Sequence, residues 1–131
     1  MARGRDRFDA HVAAVHALGK DISRRAGSVC ELCGGGDDLR VIEVPPMDEE
    51  PDVDAAMLAC ARCRDVIEVK KLPRDTGDLR FLEGAVWADP LPVKVAALRL
   101  LRRLAENDVG WAAECLDGVW IPEEVEERLG Q

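Results

Sequence analysis

Two pairs of cysteines carry the clearest chemistry in the chain. Cys30-x-x-Cys33 and Cys60-x-x-Cys63 are separated by 26 residues. Zinc takes four tetrahedral ligands, and thiolates at about 2.3 Å are good ones. Two residues between cysteines let one tight knuckle offer both sulfurs to the same ion. Gly34, Gly35 and Gly36 suit the turn that must fold back beneath a metal, because glycine takes positive φ freely. The pattern predicts one structural Zn2+ ion held by Cys30, Cys33, Cys60 and Cys63. The intervening length exceeds the commonest ribbon spacing, and the acidic segment 47–54 accounts for the excess. The competing chemistry is redox, as two independent cysteine pairs or a zinc-linked thiol sensor. A thioredoxin-like motif would need its pair at a helix start within a βαβ unit, which Cys30 lacks.

The other reactive side chains read as ordinary ones. Cys115 lies beside Trp111 and Leu116 with no base near it in sequence, which fits a buried free thiol. His11 and His16 are five apart on an expected helix, whereas a zinc pair there prefers a spacing of four. They are expected to be surface or half-buried histidines. Trp87, Trp111 and Trp120 read as the bulk of a small helical core.

The elements around the cysteines follow from periodicity and turn residues. Phe8, Val12, Val15 and Leu18 predict a helix over 6–18. DISRRA, from Asp21, predicts a further helical turn stopped at Gly27. Leu39–Val44 predicts a strand ended by Pro45-Pro46. Met57–Ala59 predicts a second strand, and ARCRDVIEV a helix that begins at the second cysteine pair and buries Val66 and Ile67. LRFLEGAVW is expected to be irregular and mostly buried. Asp89-Pro90 opens the clearest helix, with Val93, Ala96, Ala97, Leu100, Leu101 and Leu104 at helical spacing. Lys94, Arg99, Arg102 and Arg103 are read as its solvated face. Helices around WAAECLDG and from Pro122 complete the chain.

The totals set limits. A chain of 131 residues, 47% of them apolar, supports one domain with a real core. The early arginines of MARGRDRFDA precede no apolar run, and no stretch is long enough to span a membrane, so a cytoplasmic protein is expected. Paired cysteines in a reducing compartment favour metal or redox work over permanent disulfides. The net charge of −8 argues against a general nucleic-acid partner. The charge is uneven: acids crowd 43–54 and 105–131, while bases gather at 3–25, 62–80 and 94–103.

ALGKDISRRAGSVCELCG at 17–34, VIEVPP at 41–46 and MLACARC at 57–63 resemble the PhnA-type zinc-ribbon proteins, the family of an alkylphosphonate-uptake operon. The similarity continues through LRFLEGAVW at 79–87 and LPVKVAALRLLRRL at 91–104. Leu79 and Phe81 stand where that family tends to carry a tryptophan and a cysteine. The second, β-rich domain of many members is expected to be absent here. The resemblance implies a zinc ribbon or treble clef with helices packed on it, and it does not imply an enzyme.

RAGSVCELCG followed by MLACARCRD is also similar, more weakly, to the treble clef of HNH nucleases. Those need a base to activate water and a metal at the phosphate. Here Glu43 and Val44 stand where Asp-His would be expected, so the catalytic groups are missing.

The expectation is therefore an α+β, mostly helical chain. Residues 1–20 form an N-terminal helix, 21–72 the zinc ribbon or treble clef, and 73–131 a C-terminal helical lobe, all within one compact domain. The expected role is a non-catalytic zinc-binding module that docks a protein partner. The alternatives are a degenerate HNH-like nucleic-acid binder, using Arg24, Arg25, Arg62 and Arg64 on phosphates, and a thiol redox sensor.

Overall fold

The computed structural model describes residues 10, 13–14, 17–46, 52–69 and 72–130. Most of the expected helix over 6–18, with His11 and His16, lies outside the described residues. Ala10, Ala13, Ala14 and Ala17 within it are helical. Helix α1, Gly19–Ala26, starts two residues ahead of the expected Asp21 and ends at Gly27 in the left-handed conformation. Gly27 adopts φ +67° at no side-chain cost, and its N–H caps the carbonyls of Ser23 and Arg24.

The first cysteine knuckle follows, then strands β1, Arg40–Glu43, and β2, Ala56–Ala59. They pair antiparallel, with Val41 opposite Leu58 and Ile42 opposite Met57. Alternation sends their side chains to two different partners. Ile42, Met57 and Ala59 join the main core, whereas Ala56 and Leu58 pack with Ile22 of α1. β2 is therefore buried on both faces, which explains why AMLA carries no polar residue. A short 3-10 turn, Val53–Ala55, leads into it and is capped by the Asp52 side chain. The rest of the acidic segment, 47–51, lies outside the described residues.

Helix α2, Ala61–Arg64, begins directly after Cys60 and widens into a π turn over Asp65–Val69. Val66 is buried as the sequence predicts, whereas Ile67 is only half-buried. LRFLEGAVW differs from expectation. It is partly helical: Leu79 ends a 3-10 turn, Thr76–Leu79, and Leu82–Ala85 form helix α3, with turns on either side. Leu79, Leu82, Ala85 and Val86 are all buried, so one helical stripe anchors the segment.

Helix α4, Leu91–Glu106, is the centre of the molecule. It begins one residue later than the Asp89-Pro90 signal suggests, with Pro90 as the flanking residue. The six apolar residues of the sequence pattern are buried, and so are Val95 and Leu98. A helix covered on more than one side serves as a core rather than as a surface element. Helices α5, Gly110–Asp117, and α6, Glu123–Leu129, pack against it. Buried Cys30, Cys60 and Cys63 belong to the same apolar cluster as Leu98, Leu101 and Leu104.

The tryptophans do not supply the core. Trp87 is 60% and Trp120 78% exposed, and Trp111 is half-buried. The aliphatic faces of α4 and β2 already fill the interior, so the bulky rings lie in and beside the connections at its edge. The described chain is thus α+β and helix-rich with one small sheet, and none of its helices is long and apolar enough to cross a membrane.

Candidate metal centre

Two local turns bring the cysteines together. In the first knuckle the Gly34 N–H donates to the Cys30 carbonyl at 2.9 Å, and the Cys30 N–H donates to the Gly35 carbonyl at 2.7 Å. Gly34 takes φ +79°, which a side chain would strain. The Gly35 N–H points at Cys33 Sγ, 3.4 Å away, and a Cβ on Gly35 would lie against that sulfur. In the second knuckle Cys60 is extended and precedes α2, and the Arg64 N–H donates to its carbonyl at 2.9 Å. Cys63 therefore sits one turn inside the helix on the same side as Cys60. The order along the chain is knuckle, antiparallel hairpin, helix start, and the hairpin closes the gap between the pairs.

The result is a sulfur cluster. All four Sγ atoms of Cys30, Cys33, Cys60 and Cys63 lie within 4.8 Å of one another, and Cys33 Sγ is 3.5 Å from Cys60 Sγ. Four sulfurs at about 2.3 Å from a tetrahedral ion would be about 3.8 Å apart, so the set fits one such ion. A disulfide would need about 2.0 Å, and all five cysteines are free. Thiolates are soft ligands that suit zinc or iron and exclude calcium and magnesium.

The thiols are electrostatically linked. A hydrogen bond from the Cys63 thiol pulls Cys30 down to about 4. Cys63 is pushed up by that same bond, by burial and by the neighbouring sulfur charges, and burial pushes up Cys60. Cys30 thus ionises readily, whereas Cys60 and Cys63 resist it. A bound divalent cation would let those two ionise as well.

Charged side chains brace the cluster from outside. Glu31, between the first two cysteines, accepts from Arg25 Nε at 2.9 Å, Arg25 Nη2 at 2.8 Å and the Leu58 N–H at 2.9 Å. Its side chain is only 4% exposed. Arg25 also donates to the Val53 carbonyl at 2.7 Å and the Ala56 carbonyl at 2.8 Å. One ion pair thus ties α1, the first knuckle and β2 together. Arg64 donates to Asp38 Oδ2 at 2.7 Å and to the Ala59 carbonyl at 3.0 Å, joining the post-knuckle loop to α2. Arg62 lies over the Phe81 ring, 5.2 Å from its centre, and a hydrogen bond to Cys33 raises its already high pKa.

These placements revise the reading of the basic residues. Of the arginines considered for phosphate contacts, Arg25 and Arg64 are engaged by internal partners, while Arg62 lies over Phe81 and is exposed. Arg24 is exposed. The clasp of Arg25 and Glu31 was missed in sequence. Its only local signal is an arginine six residues before a glutamate inside the Cys-x-x-Cys, and its carbonyl partners come from β2 and the preceding turn. Cys115 is half-buried, and burial raises its thiol pKa. Compared with known proteins, the chain matches no protein-family model, no curated protein and no solved structure.

Proposed function

We propose that the chain is a non-catalytic zinc-binding module in which Cys30, Cys33, Cys60 and Cys63 hold one structural Zn2+ in a treble-clef arrangement. The observation that carries the reading is the convergence of four free, mostly buried sulfurs within 4.8 Å. The order of knuckle, hairpin and helix start is that of a treble clef, and the PhnA-type resemblance in sequence fits the same reading. Four protein ligands fill a tetrahedral shell and leave no open position for substrate, which favours a structural role over a catalytic one. Zinc would supply charge compensation to the thiolates and lock the knuckle onto α2.

The partner in this reading is another protein. Trp87 and Trp120 are large apolar side chains held at the surface, a residue type enriched where proteins meet. The net charge of −8 and the engagement of Arg25 and Arg64 by internal partners count against the nucleic-acid alternative. The test is metal content of the purified chain by elemental analysis, beside Cys60→Ser. One zinc per chain, lost with folding in the variant, supports the proposal. No metal and two disulfides by thiol counting would refute it and favour redox chemistry.

A further inference from the structure

A groove of about 740 Å³, with none of the cysteines in its lining, is bounded by α4, the Val44-Pro45 turn after β1, the π turn at Ile67 and Leu129 at the end of α6. That volume falls in the range of small-molecule sites, about 300–1,000 Å³. Its apolar surface comes from Val44, Ile67, Ala96 and Leu100. Arg99 and Arg103 line it as well. Four residues apart on α4, they share one helix face.

Both guanidiniums are half-buried, and neither makes an ion pair with a described carboxylate. Arg99 Nη2 donates to the Arg128 carbonyl at 2.9 Å, and Arg103 Nη2 donates to the Val66 carbonyl. Arg103 Nε is buried with no hydrogen-bond partner among the described residues. Burial lowers the pKa of both groups. Arg102, the third arginine of this face, is paired with Glu126. Glu43, Glu68 and Glu106 line the groove too, the last two exposed. A guanidinium has five N–H donors and recognises planar oxyanions with two at once. Half-buried and bonded to neutral carbonyls, these two have donors without a partner among the described residues.

We propose that this groove binds a small amphipathic organic anion, its oxyanion head held by Arg99 and Arg103 and its apolar body laid on Val44, Ile67, Ala96 and Leu100. The head is a carboxylate or a phosphate monoester, which present the same paired oxygens. The site is separate from the cysteine cluster and does not depend on the zinc reading.

The experiment is calorimetric titration of the full chain with octanoate and with octyl phosphate. Octanol and inorganic phosphate serve as the tail and the head alone. The expected result is saturable one-site binding of at least one amphipathic anion, with octanol and phosphate at least about tenfold weaker. Arg99→Gln and Arg103→Gln should each weaken it at least about tenfold, the loss of a charge-assisted contact. Comparing the two anions shows which head the site prefers. Thermal melts establish that each variant is folded. Leu129→Glu keeps both guanidiniums and sets a like charge beside the anion, so it should weaken binding even where an arginine variant does not fold. No saturable binding of either anion, octanol binding as tightly, or unchanged affinity in the folded variants would overturn the proposal.

Discussion

Removing the Glu31 carboxylate tests the bracing of the cluster. In Glu31→Ala the Arg25 guanidinium loses two hydrogen bonds and the Leu58 N–H loses one. Arg25 is 23% exposed at its side chain, so part of its charge can rehydrate, but Leu58 is buried in β2. Breaking one partner of a buried pair costs about 3–5 kcal/mol. For a domain of this length, at about 2.1 cal/mol/K per residue, that lowers Tm by about 10–18 °C. Arg25→Ala should cost a similar amount, since Glu31 would be left as a nearly buried, uncompensated charge. The double variant should be less destabilised than the sum by at least about 1 kcal/mol, because both substitutions remove the same interaction. Urea denaturation of the four proteins, all at one zinc concentration, reads these values. Single variants costing under about 1 kcal/mol, or additive costs in the double, would refute the clasp as an energetic brace.

Two further outcomes follow from the same region. Gly34→Ala forces a side chain into φ +79° and should cost about 1–2 kcal/mol, whereas Gly36→Ala, with open space at its Cβ and no positive φ, should be near neutral in the same melts. The Asp38 carboxyl is held below its ordinary value by the hydrogen bond from Arg64, then by the Arg40 charge. A lowered carboxyl pKa adds stability that is complete above about pH 4–5 and is lost as pH falls through the folded value. Asp38→Asn should therefore be less stable than the parent at pH 7, with a gap that narrows as pH drops below 4; a gap that widens in acid would refute the assignment.

The cysteine cluster and the main elements were legible because their signals are local. Cysteine spacing, the Pro45-Pro46 stop, Gly27 and the periodicity of Val93 to Leu104 each act within a few residues. What was not legible depended on distant neighbours. Arg99 and Arg103 look like a solvated helix face until the turn after β1 and the end of α6 close around them. Val95 and Leu98 look like spare apolar residues until a second layer covers them. The stripe of Leu79, Leu82 and Val86 was hidden by its brevity and by Gly84, which lowers helix propensity. The tryptophans misled because size suggests burial, while the space was already filled by aliphatic side chains.

The central claim concerns the four sulfurs, and zinc-edge X-ray absorption of the purified chain tests it most directly. The account predicts a single zinc environment of four sulfurs at about 2.3 Å with no nitrogen or oxygen shell. A first shell containing oxygen or nitrogen, or no bound zinc in a folded protein, would contradict it.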